Sequence, residues 1–75
     1  MQLEFDPDVN ALYLRIRSGR FSQTVELEEQ VYLDLDADGQ VLGVEFVDAN
    51  DFFSLLERHH GQLEIPDQMT AALAG

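Results

Sequence analysis

Val31 to Asp48, VYLDLDADGQVLGVEFVD, is the stretch whose reading decides how this chain folds. On either side of Ala37-Asp38-Gly39, apolar residues alternate with polar ones. That two-residue period belongs to a strand with one buried face, so the stretch reads as two strands folded back on each other. Val31, Leu33 and Leu35 form one inward set, and Leu42, Val44 and Phe46 the other. The first set is odd-numbered and the second even-numbered, so opposed residues that share a face must sum to an odd number. A four-residue loop from Ala37 to Gln40 meets this condition. It places Asp36 opposite Val41, Leu35 opposite Leu42, Leu33 opposite Val44 and Val31 opposite Phe46. Gly39 then takes the left-handed position that follows a type I turn.

The same letters spell a calcium loop. Asp34, Asp36, Asp38, Gly39 and Glu45 fit D-x-D-x-D-G-x5-E in full, a pattern that works by bringing hard oxygen ligands onto one ion at about 2.3–2.6 Å. An EF-hand needs a helix on each side of the loop, whereas here both flanks alternate at period two. Along a strand each residue advances about 3.3 Å, so Glu45 lies roughly 13 Å beyond Val41, moving away from the turn. Asp38 at the tip and Glu45 cannot then share an ion. The four acids are weak metal candidates, and the motif reads as a turn first.

Upstream, Gln2 to Phe5 is a short strand with Leu3 and Phe5 on one face, and Asp6-Pro7-Asp8 ends it, because proline lacks the amide proton a ladder needs and aspartate favours turns. Ala11 to Arg17 alternates, with Leu12, Leu14 and Ile16 inward and Tyr13, Arg15 and Arg17 outward. Phe21 to Glu28 is a third strand, with Val25 and Leu27 inward. Downstream, the period changes. Ala49, Phe52, Phe53 and Leu56 make one apolar stripe on a helix from about Ala49 to His60, with Asp48 as N-cap and Gly61 as stop. A short second helix is read in the tail from Pro66, with Met69, Ala72 and Leu73 as its stripe.

The expected fold is α+β and a single domain spanning residues 1–75: an antiparallel β-meander of about five strands over 1–48, one helix over 49–61 packed on one face, and a tail over 62–75. The opposite sheet face carries Tyr13, Arg15, Tyr32, Asp34, Asp36, Val41, Glu45 and Val47. This mixture is too apolar for a purely wetted face, and Tyr13, Tyr32, Val41 and Val47 are its candidate interface residues. The plainer reading is a wet face on which Arg15 and Arg17 pair with Glu26 and its neighbours.

Bulk composition narrows the function. Four arginines, no lysine and fifteen acidic residues give a net charge of −11. A nucleic-acid binder needs a basic footprint to neutralise phosphate, and an anionic membrane surface would repel this chain. With no cysteine, neither disulfides nor thiolate metal sites can stabilise so small a domain. His59 and His60 alone make a poor zinc site and fit better as a helix end. The serines and Thr24 have no histidine near them in this topology, and the glycines are too scattered to cradle phosphate. No cofactor is implied and the protein is expected not to be an enzyme. The N-terminus lacks the basic start and apolar run of a secretory signal, which makes the cytosol the expected compartment.

FDPDVNALYLRI near the start and TVELEEQVYLDLDADGQVLGVEFVDA in the middle, followed directly by a helix, resemble a family of small bacterial and archaeal proteins known as domain of unknown function 2283. The resemblance covers residues 1–50. Its most specific parts are Asp6-Pro7 followed by Asn10-Ala11-Leu12-Tyr13, and Asp34 to Asp38 with Gly39, Gly43 and Glu45. The chain departs from the family pattern at Asn10, often Asp, and at Phe5, often Tyr. The resemblance implies that the acidic turn belongs to a hairpin shared by the family. It carries no activity and no catalytic residue.

Three functional readings follow. The first is a non-enzymatic interaction module that self-associates through the outer sheet face or the tail. The alternative is an acidic regulatory or antitoxin-like protein that docks on a basic partner. The third is a calcium-dependent module built on Asp34 to Gly39.

Overall fold

The computed structural model describes residues 1–62 together with Ile65. The helix expected from Pro66 lies outside the described residues. Five strands and one helix follow in order: β1 (Gln2–Asp6), β2 (Ala11–Arg15), β3 (Gln23–Glu28), β4 (Val31–Leu35), β5 (Val41–Phe46) and α1 (Ala49–Arg58). The strands form one antiparallel sheet, and the α+β architecture is the one the sequence predicts. No helix among the described residues is long and apolar enough to cross a membrane.

Chain neighbours pair within β1–β2 and within β3–β4–β5, but the sheet order is β1-β2-β5-β4-β3, so β5 returns to lie beside β2. The segment from residue 16 to 22 makes this order by running along the ends of β5 and β4. The amides of Ile16 and Arg17 both donate to the Leu42 carbonyl at 2.8 and 3.1 Å, and that of Ser22 donates to the Leu35 carbonyl at 2.8 Å. Arg15 and Glu26 therefore sit on strands far apart, and Arg15 pairs with Glu4 instead.

Alternation puts Leu12, Leu14, Val25, Val31, Leu33, Leu35, Val44 and Phe46 into one buried layer, closed from below by Ala49 and Leu55 of α1. Phe52 meets Phe46 edge to face, with ring centroids 5.2 Å apart. Such a pair adds about 0.5–1.5 kcal/mol beyond its buried area. Ile65 and Ile16 pack against the margin of this core.

The hairpin register differs from expectation near the turn. The Asp36 amide donates to the Gln40 carbonyl at 3.0 Å and the Gly39 amide to the Asp36 carbonyl at 3.1 Å, so the loop is Ala37 to Gly39, one residue shorter than read. Gly39 does take the left-handed conformation, with φ 81°. Leu35 then faces Val41, while Asp34 faces Gly43, leaving Leu42 as an extra residue in a bulge. The residue removed from the loop reappears in the bulge, so the expected pairs Leu33–Val44 and Val31–Phe46 hold and those nearer the turn do not. Val41 is consequently fully buried in the core and is not an outer-face interface residue. Leu42 leaves the main core and packs by Gly19 of the crossing segment, where an added Cβ would lie 2.6 Å from Leu42 Cδ2.

Both ends of α1 are capped. Asp48 Oδ1 accepts from the Asn50 amide at 2.9 Å and from Asn10 Nδ2 at 2.9 Å, tying the β1–β2 loop to the helix start. The Ala49 amide adds a 2.7 Å bond to the Asn10 carbonyl, which Asn10 presents by adopting φ 54°. At the far end the Gly61 amide returns to the Leu56 carbonyl and the His60 amide to that of Glu57, a Schellman closure with His60 in the left-handed position at φ 57°.

Candidate functional site

The outer face of the sheet gathers the polar residues that the sequence singles out. Registers across four strand pairs line up one row from edge to edge: Glu4, Tyr13, Glu45, Tyr32 and Glu26. Acid and tyrosine alternate along it. The neighbouring row runs Gln2, Arg15, Gly43, Asp34 and Thr24.

Tyr13 joins the two rows. Its hydroxyl donates to Asp34 Oδ2 at 3.0 Å, although a whole strand separates them. The ring reaches that far by lying over Gly43, where a Cβ would collide with the tyrosine hydroxyl and ring carbons. Thr24 Oγ1 donates to the other carboxylate oxygen of Asp34 at 2.8 Å. One aspartate thus ties β2, β4 and β3 together across β5. Burial, then the hydrogen bond to Asp34 and its negative charge, push the Tyr13 phenol up to about 12. Arg15 sits 5.4 Å from the Tyr13 ring centroid, and its Nε donates to Glu4 at 3.0 Å. Open depressions of about 440 and 450 Å³ flank Tyr13, one edged by Asp6 and Ala11 and the other by Arg17 and Phe21.

The four acids read as weak metal candidates are dispersed among separate tasks. Asp34 accepts two hydroxyls. Asp36 Oδ1 accepts the amides of Asp38 and Gln40, both at 2.9 Å, and so holds the turn. Asp38 is at the turn tip, and Glu45 lies in the mid-sheet row between the two tyrosines. Among the described residues no group of three or more His, Cys, Asp or Glu side chains is placed to hold a metal ion. Thr24 directs its hydroxyl proton to the Asp34 carboxylate. Of the four interface candidates, Tyr13 and Tyr32 are half-buried on the outer face, Val47 is exposed and Val41 is in the core.

The sequence reading missed the Tyr13–Gly43–Asp34 arrangement, whose signal is a glycine inside a strand pattern, a mark of close approach. It also missed how open β1 remains. Leu3 and Phe5 stand opposite Leu14 and Leu12 and so belong to the core face, yet they are 57% and 53% exposed. The helix lies on β2 and β5 and leaves them uncovered.

These features define a small α+β domain with a polar hydrogen-bonded outer face, a capped helix beneath, and an apolar margin at one edge. A family model described as a protein of unknown function (DUF2283) matches residues 2–50, and the chain belongs to that family. No curated protein and no solved structure matches the chain.

Proposed function

We propose that the protein is a non-enzymatic interaction module of the cytosol that works as a self-associated assembly. The observation that carries this reading is the exposure of Leu3 and Phe5 on the core face, together with Phe53 of α1, 66% exposed. Apolar groups contiguous with the core and open to water favour being covered, each fully buried side chain contributing about 1.5–3 kcal/mol. A domain of this size has little stability to spare, which adds to the advantage. The outer face is less suited to meeting its own copy, because Glu4, Glu45 and Glu26 would oppose like charges. Light scattering across a concentration series tests the reading. An assembly in the wild type and a monomer in Leu3→Glu with Phe5→Glu support it; a wild-type monomer throughout contradicts it.

A second reading, an acidic regulator docking on a basic partner, is favoured by the row of alternating acids and tyrosines. Tyrosine faces and carboxylates together suit arginine, which stacks and forks at once. Titration with an arginine-rich peptide, against Glu45→Gln with Tyr32→Ala, distinguishes it. Binding that the variant loses supports this reading, and binding unchanged in the variant removes the outer face from it.

A further inference from the structure

We infer that two copies of this chain join edge to edge through β1, antiparallel about Glu4, to make one continuous sheet. The inference rests on the self-association reading and specifies its surface. β1 is an outer strand of the sheet, hydrogen-bonded only to β2 among the described strands, and exposed along its whole length. An edge of this kind presents a row of backbone donors and acceptors ready to pair with another strand.

The side chains make one register self-complementary. With Glu4 opposite Glu4 of the second copy, Leu3 faces Phe5 and Gln2 faces Asp6. The Leu3–Phe5 pairs fall on the core face, where each covers apolar surface that α1 leaves open. On the outer face the Gln2 amide can donate to the Asp6 carboxylate. The unfavourable element is the central Glu4 pair, and each Glu4 already carries the Arg15 guanidinium at 3.0 Å. Shifting the register by one residue would set Leu3 and Phe5 against polar partners on the wrong face.

The opposite edge does not offer the same match. β3 is interrupted by a bulge between Glu26 and Glu28, and its inward Val25 is already buried. Bulges and charged side chains are the usual protection of a sheet edge. β1 has no bulge, its two charged residues, Glu4 and Asp6, alternate with the inward positions and so lie on the outer face, and those inward positions, Leu3 and Phe5, are apolar.

The chain has no cysteine, so a single Glu4→Cys substitution reports the register directly. Directly opposed residues of an antiparallel pair bring their Cα atoms to about 4.5–5.5 Å, within disulfide range. At about 10 μM protein, oxidation should link Glu4→Cys about 100-fold faster than Glu26→Cys on β3, because pairing sets an effective concentration of about 1 mM. Sedimentation of the unmodified chain runs in parallel. A dimer whose Glu4→Cys links no faster than Glu26→Cys overturns the β1 pairing while leaving self-association intact. A monomer with no preferential linking overturns both.

Discussion

The ring of Tyr13 occupies the space above Gly43 that any side chain there would fill, and this lets its hydroxyl reach Asp34 on the next strand but one. Gly43→Ala must therefore push the ring aside and break the bond. Overpacking of this kind costs about 1–3 kcal/mol, and the lost hydrogen bond about 1 kcal/mol more. In Tyr13→Ala the space is already empty, so adding Gly43→Ala should cost much less than it does alone. Urea unfolding of the four members of this cycle measures the difference, and strict additivity would contradict the contact.

The same phenol makes stability depend on alkaline pH. Its raised value means that the folded state favours the neutral, donating form. That contribution is complete below the ordinary phenol value of 10.0 and is lost as pH rises through about 12. Tyr13→Phe should remove this part of the loss, so the urea midpoints of the two proteins converge across that window. Parallel curves would assign the alkaline loss elsewhere.

Asp36 serves the turn through two backbone amides. Asp36→Ala leaves both without this partner and should cost about 1–2 kcal/mol. Millimolar calcium should leave the melting temperature of the wild type unchanged, because the acids of the motif are dispersed. A calcium-dependent rise that Asp36→Ala abolishes would revive the metal reading.

Gln30 and His60 hold left-handed conformations, with φ 68° and 57°, that a side chain makes costly. Replacing each by glycine should stabilise the protein by up to about 1 kcal/mol, measured by thermal unfolding. A loss of stability at His60→Gly would mean that the imidazole contributes more than its backbone conformation costs.

Much of this fold is written in the apolar period. Leu12, Leu14, Val31, Leu33, Val44 and Phe46 alternate as a half-buried sheet requires, and Asp48 announces the helix. Near the turn alternation misplaces Val41 and Leu42, because parity holds only along an uninterrupted ladder and the bulge interrupts it. Both residues are apolar and adjacent, so neither betrays which faces inward. Gly43 is the only local sign of the bulge. The order of the strands is hidden for another reason: β2 and β5 meet through contacts distant in sequence, and alternation says nothing about neighbours. The outer-face network was legible as residue types but not as bonds, since Tyr13 reaches Asp34, two strands away, only across Gly43 of the strand between them. The apolar edge at Leu3 and Phe5 was legible as a face, while its exposure depends on where α1 lies.

Sedimentation equilibrium of the wild-type chain across concentration and salt tests the central claim most directly. Each copy carries a charge of −11, so pairing through an apolar edge works against repulsion. Salt shortens the screening length from about 10 Å at 0.1 M to about 3 Å at 1 M and should strengthen association. The account predicts a mass that rises with concentration toward twice the 8.5 kDa of one chain, at lower concentrations as salt increases. A mass of 8.5 kDa at every concentration and salt would contradict it.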